Sequence, residues 1–201
     1  GGAHPADLGV DVEDLVTGTA TIAAGDSVSD AALFDLYTDD EDEYDETVTL
    51  RIDSVTGPAA VGSAEGAITI TDDDIPEVNL QVPVMDAQED QGTVAFELIV
   101  SIPSVSPLQV TLSTIDGTAV EGQDFTALTS QVVEIPAGVE SQFVEVDLVD
   151  DNVYELPEQF ELTITDVVGG AIGSFPTRPA TIGDNDDIPQ VDLLALTVSE
   201  P

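Results

Sequence analysis

The chain has 201 residues, of which 42 are Asp or Glu against only 2 Lys plus Arg, for a formal net charge of -40 at pH 7. A field of this sign repels polyanions and argues against nucleic acid and anionic membrane surfaces as partners. Cysteine is absent, which removes disulfides and thiolate metal sites, while 42% hydrophobic residues and a mean hydropathy of +0.13 remove the signature of an unfolded chain.

In chain order, the start Gly1-Gly2-Ala3-His4 carries no signal-peptide pattern, as expected of an excerpt from a longer protein. An acidic cluster follows at Asp39, Asp40, Glu43 and Glu46, and an acidic knot, Asp72-Asp73-Asp74, precedes Ile75-Pro76. Beyond Pro76 the apolar pattern has period two and is bounded by Gly, Pro, Asp and Ser. It predicts strands over Val78 to Met85, Thr93 to Ile102, Leu108 to Thr114, Phe125 to Ile135, Gln142 to Val149, Gln159 to Thr165 and Ala180 to Ile182. Val94, Phe96, Leu98 and Val100 face one side of the second of these, and Phe160, Leu162 and Ile164 one side of the sixth. Short strands with turn signals every ~8 to 12 residues predict an antiparallel β-sandwich. No segment reads as a long helix, and no run reaches the ~18 apolar residues of a membrane helix.

The knot recurs. Gly183-Asp184-Asn185-Asp186-Asp187 again precedes Ile-Pro, at Ile188-Pro189, and a second acidic cluster, Asp150, Asp151, Glu155 and Glu158, lies upstream at a matching distance. Ile75 and Ile188 are 188 − 75 = 113 positions apart. Acids that recur in phase with a structural unit read as one site built more than once. With only Arg51 and Arg178 as fixed cations, crowded carboxylates need an external countercharge. Two of them ~4 Å apart repel by about 1 kcal/mol even in water.

Five stretches in order carry a family resemblance: Glu89-Asp90-Gln91-Gly92; Thr114 to Phe125, containing Asp116-Gly117-Thr118-Ala119 and Gly122-Gln123-Asp124-Phe125; Ile135-Pro136-Ala137-Gly138; Asp150 to Phe160; and Asp184-Asn185-Asp186. This pattern resembles the Calx-beta family of calcium-binding, immunoglobulin-like modules. The resemblance implies an all-β chain of tandem immunoglobulin-like antiparallel β-sandwiches. Residues 76–187 are expected to form a complete module, residues 1–75 the C-terminal half of a preceding one lacking its first strands, and residues 188–201 the first strand of a third. A half sandwich leaves strand edges open, so the chain is expected to be part of a longer array, or else to be completed by strands from neighbouring copies.

The resemblance also implies a Ca2+ site at one tip of each module. Carried over residue by residue, the middle module's ligands are Glu89, Asp124, Asp150, Asp151, Glu155, Asp184 and Asp186. Those of the first are Asp7, Asp39, Glu43, Asp72, Asp73 and Asp74, and Glu200 is the candidate in the third. Calcium takes about 6 to 8 oxygen ligands in forgiving geometry, which such loops can supply. Asn185 departs from the all-acidic knot of the first unit, keeping an oxygen donor but removing a charge. Glu46 and Glu158 read equally as ligands or as groups that orient backbone.

Other acids, such as Asp11, Glu13, Asp14, Asp26, Asp30, Glu140 and Glu145, read as solvated surface. His4 is the only histidine and Trp is absent, so a catalytic triad or a carbohydrate cleft has no support and no enzyme is expected. Phe34, Met85, Phe96, Phe125, Phe143, Tyr154 and Phe160 are expected in core positions. The expected function is a calcium-binding structural repeat of a long extracellular or cell-surface protein, an adhesin stalk, surface fibre or matrix filament. Its partners would be neighbouring modules or copies, or a cell-surface or matrix ligand, without nucleic acid or membrane insertion. The alternatives are a calcium-sensing regulatory module and a carbohydrate- or protein-binding module.

Overall fold

The structure, a computed structural model, describes residues 4–5, 19–27, 36–81 and 87–193. The chain divides into two compact units, Gly1–Ile75 with Ile102–Val105, and Pro76–Ser101 with Ser106–Pro201.

In the first unit, β1 (His4–Pro5), β2 (Glu46–Arg51) and β3 (Glu65–Ile70) form one sheet in that order. β2 and β3 pair antiparallel from Glu46↔Ile70 to Arg51↔Glu65, and β1 pairs parallel to β2. Val48 is the one buried hydrophobic residue among those described in this unit.

The second unit continues with β4 (Glu77–Leu80), β5 (Ala87–Gln88), a single 3-10 turn at Glu89–Gln91, β6 (Thr93–Val100), β7 (Leu108–Asp116), β8 (Gln131–Ile135), β9 (Ser141–Asp147), β10 (Glu158–Val168), β11 (Ala171–Ile172) and β12 (Thr177–Gly183). A five-stranded sheet, β5-β12-β10-β7-β8, and a four-stranded sheet, β11-β4-β6-β9, contribute their inward residues to one core. Alternation sets this arrangement, because successive side chains of a strand point to opposite faces. Val94, Phe96, Leu98 and Val100 of β6 therefore meet Leu108, Val110 and Leu112 of β7 and Phe160, Leu162 and Ile164 of β10 in the interior. Each such residue contributes about 1.5–3 kcal/mol when fully buried.

Several expectations need correction. The sandwich is not antiparallel throughout: β11 pairs parallel with β4, and β5 pairs parallel with β12. The cause is a switch of sheets by one run of chain. β4 lies between β11 and β6 in the four-stranded sheet, and after residues 82–86, which lie outside those described, β5 joins the edge of the other sheet. The strand expected from Phe125 starts only at Gln131, because Phe125 makes isolated bridges to Glu121 and Leu148 instead. β10 runs on to Val168 past a register shift between Ile164 and Asp166, and β11 was not foreseen.

Phe143 and Tyr154 are not core residues. Phe143 is 62% exposed because its β9 neighbours Val144 and Val146 take the inward positions, and Tyr154 lies in the exposed loop before β10. Phe34, Met85 and the expected strand in residues 194–201 lie outside the described residues. Among the described residues no helix is long and apolar enough to cross a membrane.

Candidate metal centre

The strand pairings of the second unit bring its acids to one end of the sandwich. The parallel register Ile182↔Ala87 and Gly183↔Gln88 runs both chains side by side into their next residues, Asp184 and Glu89. The antiparallel pair Glu158↔Ile182 sets the start of β10 beside the same place. The bridge Phe125↔Leu148, with the Val149 N–H donating to the Asp124 carbonyl at 3.0 Å, ties the Asp124 loop to the segment that carries Asp150 and Asp151.

A close backbone approach fixes the loop between β7 and Asp124. The Ala119 N–H donates to the Gln159 carbonyl at 2.9 Å and the Gln159 N–H donates to Thr118 Oγ1 at 2.8 Å. A Cβ on Gly117 would collide with the Gln159 carbonyl oxygen, so Asp116-Gly117 serves as more than a turn pair. Asp124 is then held by its own loop, its Oδ2 accepting the Val120 N–H at 2.6 Å.

Two groups of carboxylates result, Glu89 with Asp184 and Asp186, and Asp124 with Glu155 and Glu158. Within each, one oxygen per residue lies within 4.8 Å of the others. Oxygens on opposite sides of one calcium stand about 4.6–5.2 Å apart, so each group is spaced to surround one hard cation. Five of these six residues, Glu89, Asp124, Glu155, Glu158 and Asp184, line a common cleft with Leu156, Ile182 and Gly183. Its volume of about 10 Å³ is room for about one water-sized sphere.

Among the described residues neither arginine serves either group. Arg51 pairs with Asp53 at 3.3 Å in the first unit, and Arg178 lies over the Phe175 ring at 4.4 Å while its Nε–H donates to the Leu80 carbonyl at 2.9 Å. The electrostatics follow. Desolvation, then mutual repulsion, raises the carboxyls of Glu89, Glu155, Glu158 and Asp186 above the usual carboxylate range. Glu89, only 5% exposed, gains partial relief from the Asn185 N–H, which donates to its Oε1 at 3.4 Å. Asp186 Oδ2 is sealed from solvent and has no hydrogen-bond partner. A sealed carboxylate oxygen facing like charges is costly without a cation, and an all-oxygen donor set suits a hard one.

Asp150 and Asp151 are exposed and stand outside the two groups. They act on them through space, Asp150 on Glu89 and Asp186, Asp151 on Glu155 and Asp186. Asp151 Oδ1 is occupied by the Val153 N–H at 2.7 Å. Glu158, which the sequence left between two roles, sits inside the second group; the recurrence of Glu43/Glu46 as Glu155/Glu158 was its signal.

In the first unit the knot and the upstream cluster approach each other. The Asp74 carboxyl is raised by desolvation and then by Asp73, Asp72, Asp40 and Asp39. Asp39 Oδ1 accepts the Glu41 N–H at 3.0 Å, and Glu43 is half-buried in the same loop. Among the described residues these acids form no converging group of three. Asp7 and Glu200 lie outside the described residues.

A model of the Calx-beta domain matches residues 71–186. Among solved structures, the apo form of the Calx CBD1 domain is similar at 22% identity and a TM-score of 0.52, over 56% of this chain and 100% of that one. The calcium binding domain CBD12 of CALX1.1 is similar at 22% identity and a TM-score of 0.51, over 55% of this chain and 46% of that one. At these identities the likeness concerns the fold alone. Extracellular matrix protein 3 of Lytechinus variegatus is 35% identical over 79 residues, which is 39% of this chain but 2% of that protein.

Proposed function

The chain belongs to the Calx-beta domain family, and from that premise we propose that it is a calcium-binding structural part of a long extracellular protein, a stalk, fibre or matrix filament. The observation that carries the calcium reading is the buried Glu89 beside Asp184 and Asp186, with Asp186 Oδ2 sealed and unpartnered. The resemblance to a matrix protein supports the extracellular setting, where calcium is abundant.

Glu89, Asp184 and Asp186 would hold one ion and Asp124, Glu155 and Glu158 another, with Asp150 and Asp151 lending charge from the rim. Bound calcium supplies the positive charge that the chain lacks. The chain's own part is to hold the acids of four separated segments at one end of the sandwich, on strand ends and on loops tied back to the strands by backbone hydrogen bonds. The knots at Asp72–Asp74 and Asp184–Asp187 run directly into Ile75-Pro76 and Ile188-Pro189, and proline restricts both itself and the residue before it. A knot tied down at such a place stiffens the exit of the chain toward the next module.

Small-angle scattering of the chain in calcium and then in chelator tests this reading. A larger maximum dimension with calcium is expected, and an unchanged one contradicts the stiffening role. Affinity separates the strut from a calcium sensor: tens of micromolar to millimolar dissociation fits an extracellular strut, submicromolar a sensor.

A further inference from the structure

We propose that Ala87–Gln91 is a cation-operated latch that covers or uncovers the outer edge of the five-stranded sheet. The inference rests on the calcium reading above and concerns what binding does to the fold.

β5 occupies the edge of that sheet, outside β12, and among the described residues it is attached through two register pairs, Ile182↔Ala87 and Gly183↔Gln88. Two residues are fewer than the usual strand of about 3–10, so side-chain contacts matter to how this one is held. Two further contacts help. Ala87 is buried in the core, and the Gln88 amide lies across Gly183, where a Cβ would meet it.

Immediately beyond the pair the balance reverses. The two parallel chains deliver Glu89 and Asp184 to the same spot, with Asp186 completing the group. Among the described residues the polar link across it is the Asn185 N–H to Glu89 Oε1, at a long 3.4 Å. Three carboxylates without a cation push β5 away from β12 at its C-terminal end, and the same three around a cation pull it on. Opening would free the backbone groups of Ile182 and Gly183 on the outer side of β12, an unpaired edge of the kind that invites another strand. Cation occupancy at the tip is thereby coupled to closure of the sheet.

Amide hydrogen exchange on the chain, in calcium and in chelator, tests the latch, with calorimetry alongside to establish binding. At free calcium a hundredfold above the dissociation constant, amides that exchange through latch opening slow by about a hundredfold. The expected result is this slowing at Ala87–Glu89 and Ile182–Asp184, well beyond that at Ser141–Asp147 of β9, the edge of the other sheet. Equal slowing at both edges would mean general stabilisation only and would overturn the latch while leaving calcium binding in place. Absence of any heat on adding calcium would overturn both readings. In Glu89→Gln the selective slowing is expected to vanish while calcium still binds at Asp124, Glu155 and Glu158; its persistence would also overturn the latch.

Discussion

The Phe125 and Phe160 rings stack with centroids 4.3 Å apart and planes 18° from parallel. Asp124 immediately precedes one ring and Glu158 lies two residues before the other, on the same side of β10. The pair therefore joins core and site, because seating the two rings in the interior sets two of the three carboxylates of one group at its rim. Phe96 meets Phe160 edge-on at 6.1 Å and completes the support.

Replacing Phe125 with Ala should cost about 3–5 kcal/mol of stability, as for other buried aromatics. Phe125→Leu should cost less and still weaken calcium binding by displacing Asp124. Denaturant melts in chelator measure the first effect and calcium titration of the folded Leu variant the second.

Gly117→Ala places a methyl group against the Gln159 carbonyl, a backbone atom that cannot swing aside. The expected cost is about 1–3 kcal/mol, with weaker calcium binding, because the Thr118 and Ala119 links to Gln159 hold the Asp124 loop near Glu158. A Ser substitution at exposed Gly62, whose Cβ position is open, should leave both properties unchanged. Thermal melts with and without calcium separate these outcomes.

Most of the fold of the second unit was legible in its residues, and so was much of the site. Val94, Phe96, Leu98 and Val100 alternate without interruption, and a period of two has one inward face. Glu155, Asp184 and Asp186 were legible from the recurrence of the acidic clusters, and Glu89 and Asp124 from the motifs that carry the family resemblance. What escaped depends on distant partners. Phe143 is as apolar as Phe96, yet the β9 register gives the inward places to Val144 and Val146. Ala87–Gln88 leaves no periodic trace in two residues, and only its pairing with β12 makes it a strand. Glu158 carried a signal in the recurrence of Glu46, but only the pairing of β10 with Ile182 seats it in the group rather than behind it.

Neutralising single acids should separate the two groups. Glu158→Gln removes a like charge from the group with Asp124 and Glu155, so it should raise stability in chelator while lowering calcium affinity by tenfold or more, about 1.4 kcal/mol per factor of ten. Asp151→Asn, at an exposed acid outside both groups, should change affinity by less. Parallel titrations of the two variants check the order.

The raised carboxyls fix the sign of the pH dependence. Glu89, Glu155, Glu158 and Asp186 hold protons more tightly in the folded chain than in the unfolded one. In chelator, stability should therefore rise as pH falls from neutral through their folded values, with the gain complete below the ordinary carboxylate range near ~4. In saturating calcium the slope should reverse over the same window, since protons compete with the ion for the same oxygens. Denaturant midpoints from neutral pH to about 5 in both conditions read the two slopes directly, and parallel slopes would count against ion binding at these residues.

The account depends on a divalent cation being the countercharge for the two carboxylate groups at the tip of the second unit. Its most direct test is a calorimetric titration of the chain with calcium, paired with melting in calcium and in chelator. A saturable heat is predicted, together with added stability of about 2.7 kcal/mol per occupied site at a hundredfold excess over the dissociation constant, both reduced in a variant carrying Asp184→Asn and Glu158→Gln. No heat and an unmoved melting temperature would contradict it.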